Sequence, residues 1–382
     1  MKDGWTYKKL GEVARVQNGY AFDSKLFNEN GNGTPLIRIR DIKRNHTYTY
    51  TTEECSKEFF IENGDLLIGM DGDFNVCTWE GGHAYLNQRV CHVIPSNQVI
   101  AKFLYYLLPF PLKRINDKTT FATVKHLSSK QVGNIMMPVP SLDEQQRIVE
   151  RLDSAFENID KLKANAEKQL SEARILLQKS LAKAMEPKEG WEEKKLGDVA
   201  EVNRGRSKHR PRNDKSLFGG PYPFIQTGDI RNAQGGEIKD FSQTYSEFGL
   251  SQSKLWAKGT ICITIAANIG ETAILGFDAC FPDSIVGIHP DETVLDALFL
   301  NYYLLSIKKE IDSQSYGTAQ KNINLEVLNN IVMQIPPLAE QQRIVERLDS
   351  LSENVRKYEE IQRQMISECD ALKQALLRKV FE

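Results

Sequence analysis

The chain contains one eleven-residue string twice, as residues 144–154 and as residues 340–350. Each copy reads Glu-Gln-Gln-Arg-Ile-Val-Glu-Arg-Leu-Asp-Ser and opens a stretch in which apolar residues recur at alternating steps of four and three, from Ile148 and from Ile344 onward. About five heptads of this spacing predict a coiled-coil seam, and neither stretch contains a Gly or Pro before its end. A helix of about 45 residues spans roughly 65 Å. We therefore predict two long helices that act as spacers.

Five polar positions of this string are predicted to point away from the seam, and they are identical in the two copies. They are Gln145, Gln146, Arg147, Glu150 and Arg151, matched by Gln341, Gln342, Arg343, Glu346 and Arg347. The seam requires only apolar side chains, so its packing does not explain this identity. A recent duplication would explain it, but the segments between the helices have diverged almost beyond alignment. The identical surfaces therefore predict that the same partner protein docks twice.

A second internal match sets the domain organisation. Gly4–Ala14 and Gly190–Ala200 share Gly-Trp, then Lys-Lys-Leu-Gly, an acidic residue and Val-Ala. The chain is therefore a tandem duplication of a globular domain followed by a long helix. We predict domain 1 at 1–140, the first long helix at 141–187, domain 2 at 188–336 and the second long helix at 337–382. Such a unit is expected to fold back with pseudo-twofold symmetry, its helices pairing as an antiparallel coiled coil.

Short segments of alternating polarity predict that each domain is α+β. The elements predicted in domain 1 are a strand at Pro35–Ile42 with Arg38 and Arg40 on one face, a turn and buried strand at Glu62–Gly69, a strand at Asn87–Ile94, a helix at Phe103–Leu108 and a strand at Ile135–Val139. Domain 2 repeats this order at Tyr222–Ile230, Ala257–Thr264, Asp283–His289 and the helix Ala297–Leu305. Lys125 and Lys321 stand at equivalent positions of a polar loop.

Composition limits the functional classes. The 382 residues carry a formal net charge of −2, so nucleic-acid binding would have to come from local patches. No stretch approaches the ~18 apolar residues of a membrane helix, and Met1–Trp5 does not begin a signal peptide. The six Cys never form a Cys-x-x-Cys pair. We expect a cytoplasmic protein with isolated reduced thiols and no membrane contact.

Motifs for catalysis are missing from the sequence. It contains no Gly-rich phosphate loop, no Gly-x-Ser-x-Gly elbow and no His-Glu-x-x-His pair. Asp71-Gly-Asp73 resembles the start of a calcium loop, but Val76 and Gly82 stand where an EF-hand needs Gly and Glu. We therefore predict a binding protein with no catalytic residue and no metal site.

Residue types that read base pairs are concentrated between the short strands. Arg suits guanine, Asn and Gln suit adenine, and carboxylates accept from cytosine in the major groove. The DNA-binding candidates of domain 1 are Arg38, Arg40, Lys43, Arg44, His46, Asp73, Asn75, Asn87, Gln88, Arg89, Thr123, Lys125 and His126. Those of domain 2 are Arg204, Arg206, Lys208, Arg210, Arg212, Gln226, Thr227, Arg231, Thr318, Gln320, Lys321 and Asn322. Each alone is an ordinary strand-edge residue, and the prediction depends on their grouping.

Domain 2 differs from domain 1 by a strongly basic segment at 203–215, with six Lys or Arg against one Asp. Such a segment is usually a solvated loop. Gly205 and Pro211 beside several Arg side chains also suit close contact with a phosphate backbone. Both interpretations remain open at this point.

The paired domain starts and paired helix starts closely resemble the specificity subunits of type I restriction–modification systems, over essentially the whole chain. Further matching motifs in domain 1 are Pro35–Ile42, Gly69–Asn75, Leu86–Val90 and Ala122–Leu127. In domain 2 they are Thr227–Ile230 and Gly317–Ile323. Together these motifs are specific to that family, although no single one is decisive.

This resemblance implies a non-catalytic reader of double-stranded DNA. Each target recognition domain would read one half of a bipartite, asymmetric site, and the paired helices would set the gap. Two adenine-N6 methyltransferase subunits and the restriction subunits would dock on it, and would carry the S-adenosylmethionine, ATP and Mg that this chain does not bind. A duplicated coiled-coil scaffold that organises proteins without touching DNA is the alternative, but it leaves the segment 203–215 and the Arg-bearing strand unexplained.

Overall fold

Both copies of the repeated string lie in the first turns of a long helix. The helices are α1 (Leu10–Val13), α2 (Ala101–Leu107), α3 (Pro109–Lys118), α4 (Ser129–Gly133), α5 (Leu142–Ala184), α6 (Leu196–Val199), α7 (Thr227–Asn232), α8 (Glu247–Ser251), α9 (Ala297–Ser306), α10 (Lys308–Ser313), α11 (Leu325–Asn329) and α12 (Leu338–Phe381). The long helices α5 and α12 have 43 and 44 residues, within a few residues of the predicted bounds.

The computed structural model describes residues 4–118, 125–266, 268–313 and 323–382. The chain divides into two compact units, Met1–Asn165 with Met365–Glu382, and Ala166–Gln364. We call these the first unit and the second unit. No helix within the described ranges is long and apolar enough to span a membrane.

The strands of the first unit form three sheets. They are β1 (Thr6–Lys9), β2 (Ala14–Asn18), β3 (Phe27–Asn28), β4 (Thr34–Ile37), β5 (Tyr50–Thr51), β6 (Phe60–Ile61), β7 (Leu66–Gly69), β8 (Val76–Thr78), β9 (Ala84–Leu86), β10 (Val90–Pro95) and β11 (Met136–Val139). β2, β10, β7 and β8 form an antiparallel sheet in that order. A second sheet has the order β3-β5-β4-β9-β6, and β1 pairs with β11.

The second unit repeats this scaffold. Its strands are β12 (Glu192–Lys195), β13 (Ala200–Arg204), β14 (Phe218–Phe224), β15 (Glu237–Ile238), β16 (Gln243–Tyr245), β17 (Ile261–Thr264), β18 (Thr272–Leu275), β19 (Ile285–Pro290) and β20 (Val332–Ile335). The order β13-β19-β17-β18-β15 reproduces that of the first sheet with one strand added, and β12–β20 matches β1–β11. The mixed α+β duplication predicted from the sequence is therefore present.

Three predicted strands are shorter than expected. The polar and apolar residues of Pro35–Ile42 alternate over the whole segment, but β4 ends at Ile37 and a 3-10 turn covers Ile39–Asp41. The placement of Arg38 and Arg40 on one face of a strand was therefore wrong. Tyr222–Ile230 likewise leaves β14 at Phe224 and turns into α7. Residues 87–89 form a turn, and β10 starts only at Val90.

The start of each long helix is part of a domain core. In the first unit Ile148, Val149 and Leu152 of α5 join a buried cluster that includes Phe103 and Leu104 of α2. In the second unit the start of α12 packs against α9 in the same way. Packing within its own domain therefore explains why the apolar residues of the repeated string are the same in both copies.

Within each unit, segments of the two long helices lie side by side and run in opposite directions. In the first unit the Lys163 ammonium lies 2.8 Å from Asp370, and the Lys373 ammonium lies 2.5 Å from Asp160. In the second unit the Arg174 guanidinium lies 2.9 Å from the Glu359 carboxylate, and Leu181, later on α5, shares a buried cluster with Ile344 near the start of α12. The predicted apolar seam is only partly buried, since Leu162 and Leu176 are 53% and 56% exposed. A continuous coiled coil along both helices stays a prediction.

Candidate nucleic-acid interface

Three loops of domain 1 meet at one end of the β2-β10-β7-β8 sheet. The Met70 amide after β7 donates to the Arg89 carbonyl at 2.9 Å, and the Leu127 amide donates to the Met70 carbonyl at 2.7 Å. The Gly72 amide donates to the Lys125 carbonyl at 3.0 Å. These backbone contacts bring together loops that are far apart in sequence and that carry several of the DNA-binding candidates.

Asp71 is the centre of the charges in this cluster. Its Oδ1 lies 2.7 Å from His126 Nδ1 and 3.5 Å from the Arg89 guanidinium. The Asp71 side chain is 19% exposed, whereas Arg89 and His126 are each 51% exposed. The carboxylate therefore orients two donors whose outer edges face solvent. This role of Asp71 could not be predicted from the sequence, because its pairing with Arg89 and His126 depends on tertiary contacts.

Two lysines of the predicted set are engaged by neighbouring loops. Lys43 lies 2.8 Å from Asp73, and this hydrogen bond lowers the pKa of the Asp73 carboxyl. The Lys125 ammonium donates to the Asn116 side chain at 2.6 Å and to its carbonyl at 2.7 Å. Asn116 in turn donates to the Gly72 carbonyl. Lys125 therefore ties α3 to the loop after β7 as well as adding positive charge.

Arg38 and Arg40 have different surroundings. The Arg38 guanidinium lies over the Phe27 ring, 5.5 Å from its centroid. The Arg40 guanidinium donates to the Thr49 hydroxyl at 2.9 Å and lies 3.5 Å from Glu29. Arg40 is thus held by contacts inside its own domain, and a direct contact of Arg40 with a base stays a prediction.

A basic, aromatic loop follows these arginines. Lys43, Arg44 and His46 are exposed. Tyr48, which sequence analysis did not select, is 62% exposed and lies 4.6 Å from the His46 ring, centroid to centroid. Asn45 fixes the loop by donating to the Thr78 carbonyl at 3.0 Å. The signal available in the sequence was an aromatic residue, Tyr48, two positions after His46 in a basic segment.

One predicted DNA contact of domain 1 is wrong. Asn87 is only 6% exposed, and its amide donates to the Ile37 carbonyl while its carbonyl accepts from the Val90 amide. A side chain at this depth cannot reach a base edge. Gln88, the next residue, is exposed, and Asn75 is half-buried behind Asp73.

The basic segment of domain 2 is an ordered loop. Arg212 lies 2.8 Å from the Asp283 carboxylate, and Arg204 Nε donates to the Asp283 carbonyl at 2.6 Å. The Arg210 guanidinium donates to the Ser207 carbonyl at 2.7 Å. Of the five predicted basic residues, these three therefore also support the loop itself.

Arg206 and Lys208 are presented outward from this support. The Arg206 amide donates to the Phe281 carbonyl at 3.2 Å, and the Lys208 amide donates to the Gln252 carbonyl at 3.1 Å, while both side chains are exposed. Gly205 permits the close approach, since a Cβ there would lie 2.3 Å from the Pro282 carbonyl oxygen. Hydrogen bonds hold the backbone of the loop to the domain, and the Arg206 and Lys208 side chains stay exposed. Contact of these side chains with a phosphate backbone stays a prediction.

The same end of domain 2 carries the turn that holds Gln226, Thr227 and Arg231. The Ile225 amide donates to the Cys280 carbonyl at 2.8 Å, which joins this turn to the 280–283 segment under the basic loop. Arg231 Nε lies 3.2 Å from the buried carboxylate of Glu271. Arg231 is therefore a structural residue as well as a DNA-binding candidate.

Several predicted contacts cannot be placed. Thr123 of domain 1 lies outside the described residues, and so do Thr318, Gln320, Lys321 and Asn322 of domain 2. Among the described residues, no group of His, Cys, Asp and Glu is arranged to hold a metal ion.

Gln145 and Gln341 were wrongly predicted to be partner-binding. Both are 0% exposed. Gln145 Oε1 accepts from the Ile100 amide at 2.9 Å, and Gln341 Oε1 accepts from the Asp296 amide at 2.7 Å. Each glutamine thus joins the start of a long helix to the loop before α2 or α9. Domain packing explains why these two residues are identical.

The other identical polar positions are exposed. They are Gln146, Arg147, Glu150 and Arg151 on α5, and Gln342, Arg343, Glu346 and Arg347 on α12, and we call each set a docking strip. Residues four positions apart lie on the same face of a helix, so Gln146 with Glu150 and Arg147 with Arg151 form two adjacent rows on α5, and the matching residues do so on α12. Because these side chains are exposed, packing inside the domain does not explain why they are identical in the two copies. The predicted partner-binding surface therefore consists of these strips alone.

Comparison with known proteins agrees with this architecture. The family model described as type I restriction modification DNA specificity domain matches residues 2–172 and again 188–364. The type I restriction enzyme EcoBI specificity subunit of Escherichia coli is 29% identical over 409 residues, covering 99% of this chain and 86% of that protein. The putative type I restriction enzyme MjaX specificity subunit of Methanocaldococcus jannaschii is 26% identical over 395 residues, covering 94% and 90%.

Solved structures share the fold. A chain from a study of complex assembly and conformational transition of the type I R-M system has a TM-score of 0.78 at 20% identity, covering 100% of this chain and 98% of that one. The HsdS subunit from Thermoanaerobacter tengcongensis has a TM-score of 0.59 at 20% identity, covering 100% and 97%. With the family model matched twice along most of its length, this chain belongs to the family of type I restriction-modification DNA specificity domains.

Proposed function

We propose that this chain is the DNA-reading subunit of a type I restriction–modification complex, and that its two domains read the two different halves of a bipartite site. One observation carries the proposal. The domains share a sheet order, yet the loops at the same end of that sheet present different side chains. Domain 1 presents an Asp71–Arg89–His126 cluster, whereas domain 2 presents a basic loop. A common scaffold with diverged loops suits two different sequences.

The docking strips support the rest of the assembly. The exposed residues of the docking strips are identical on the two helices although the domains are not, which suits two copies of one methyltransferase subunit. Restriction subunits would then join that complex. S-adenosylmethionine, ATP and Mg would be bound by the partners, and a base flipped out of the duplex would enter the partner's pocket. This chain would select the DNA sequence and would contribute no catalytic residue.

A binding measurement on the assembled complex tests the proposal. The chain is purified with its methyltransferase partner, and fluorescence anisotropy is recorded with duplexes carrying the motif methylated in cells, a scrambled motif, or the motif with altered gap bases. We expect the motif to bind at least ~10³-fold more tightly than the scrambled duplex, and gap substitutions to be tolerated. Equal affinity for the motif and the scrambled duplex would contradict sequence reading. No binding at low salt would favour the scaffold alternative.

A further inference from the structure

The two domains place one residue in the same backbone setting, directly after a strand and before a turn or short helix. In domain 1, Arg38 follows β4 and precedes the turn Ile39–Asp41. In domain 2, Gln226 follows β14 and precedes α7. The backbone angles are φ −110° and ψ 165° at Arg38, and φ −110° and ψ 169° at Gln226. Positions 38 and 226 are therefore structurally equivalent.

A carboxylate three residues later holds each position. Asp41 Oδ2 accepts from the Arg38 amide at 2.8 Å, and Asp229 Oδ2 accepts from the Gln226 amide at 2.8 Å. Asp41 is 1% exposed. The carboxylate is kept in both domains while the residue it holds changes from Arg to Gln. Such a pattern is expected of a fixed support beneath a variable contact.

A residue on another strand of the same sheet restrains each side chain. The Arg38 guanidinium lies 5.5 Å from the centroid of the Phe27 ring. Gln226 Nε2 donates to Gln243 Oε1 at 2.6 Å, which uses one of its two N–H groups. Both side chains are only half-buried. Each is therefore pre-oriented and still accessible, which lowers the entropy lost on binding.

Other residues of this turn do not share that role. Arg40 is engaged by Thr49 and Glu29, and its counterpart in domain 2 is Gly228, which has no side chain to read with. The carboxylates of Asp41 and Asp229 are already used to hold the turn. Among residues 38–41 and 226–229, the first position is therefore the one where both domains still offer a side chain with two hydrogen-bonding atoms. Arg matches guanine O6 and N7, and Gln matches adenine N6 and N7.

We propose that positions 38 and 226 are equivalent base-reading positions, at which Arg38 reads a guanine in one half-site and Gln226 reads an adenine in the other. Asp41 and Asp229 are positioning residues that act through the backbone of Arg38 and Gln226. This assignment rests on the proposed function, and it adds which residue reads which base.

Exchanging the two side chains tests the assignment. The chain or its variant is expressed with the methyltransferase partner in a host that lacks other adenine methylation, and modified adenines are mapped across the genome. Arg38→Gln should replace one guanine by adenine in one half of the motif, with a change in preference of about 5- to 150-fold, and leave the other half unchanged. Gln226→Arg should make the reciprocal change in the other half.

The possible failures are distinguishable. If the wild-type chain directs no gapped motif, the proposed function itself fails. If the wild type directs a gapped motif and both variants keep every base of it, the assignment is overturned. A uniform loss of methylation with no altered base would also overturn it, and would make Arg38 a phosphate contact.

The positioning role has its own control. Asp41→Ala removes the acceptor for the Arg38 amide, whereas Asp41→Asn retains an oxygen there. We expect Asp41→Ala to relax selection at the Arg38-dependent base at least tenfold, and Asp41→Asn to restore it. Thermal melting of both variants accompanies the mapping, and Asp229→Ala provides the same comparison in domain 2 if Asp41→Ala does not fold. Loss of methylation spread evenly over the motif would overturn the positioning role.

Discussion

Gln145 offers a sharp test of why the helix start is repeated. Its side chain accepts from the Ile100 amide at 2.9 Å and donates to the carbonyls of Gln98 and Pro140 at 3.0 and 2.9 Å. Gln145→Ala removes all three hydrogen bonds, each contributing about 1 kcal/mol, and leaves the partly buried Ile100 N–H group without its acceptor. We therefore expect the free energy of unfolding of the first unit to fall by about 3–5 kcal/mol.

The adjacent glutamine is the matched control. Gln146 is exposed and donates to Glu150 on the same helix at 2.8 Å, so Gln146→Ala should change the free energy of unfolding by less than about 0.5 kcal/mol. Hydrogen–deuterium exchange read on peptides containing Ile100, together with urea unfolding, reports the first unit separately from the second. Equal exchange and equal midpoints for the two variants would refute the structural role of Gln145.

The remaining predictions concern the partner, the DNA backbone and pH. Arg147→Glu on one docking strip should leave a complex with a single methyltransferase subunit by native mass spectrometry, whereas Arg147→Glu with Arg343→Glu should leave none; two subunits bound with normal affinity would contradict the docking strips. Arg206→Ala should weaken all duplexes about equally and reduce the slope of log affinity against log salt by about 1, as anisotropy titrations at several salt concentrations can show, and a loss confined to one sequence would instead indicate base reading. Burial, with a smaller effect from Lys254, lowers the pKa of His289 below 6.5, so the folded second unit resists its protonation more than the unfolded chain does. The free energy of unfolding of that unit should therefore fall as the pH drops below about 6.5, and His289→Gln should remove this part of the dependence in urea titrations; identical pH profiles would exclude it.

The long helices were predictable because their signal is local. Alternating steps of four and three over dozens of residues, with no Gly or Pro, leave few other structures open, and the bounds of α5 and α12 follow closely. The strand at Pro35–Ile42 was not predictable in the same way. Its alternation continues through Ile39, but the Asp41 carboxylate holds the Arg38 amide and turns the chain. The alternation of polar and apolar residues alone does not show where a strand ends and a 3-10 turn begins.

Burial of single polar residues was the other point that local patterns could not resolve. Asn and Gln are usually found at protein surfaces, yet Asn87 and Gln145 are both buried. Gln145 is hydrogen-bonded to Ile100, which is far away in the sequence, and local patterns do not report such contacts. The sequence pattern led us to explain the identity of Gln145 and Gln341 by a partner protein. Their hydrogen bonds within their own domains are a sufficient explanation. The docking strips keep that explanation only for positions that the fold leaves exposed.

Duplicating one domain tests the central claim most directly. Residues 190–336 are replaced by 4–140, joined at the matching Gly-Trp starts, so that both long helices carry domain 1. The hybrid is expressed with the methyltransferase partner, and methylated adenines are mapped. If each domain reads its own half-site, the new motif should carry the bases of the domain 1 half twice and lose those of domain 2. A motif that keeps its original second half, from a hybrid that still assembles, would contradict the account.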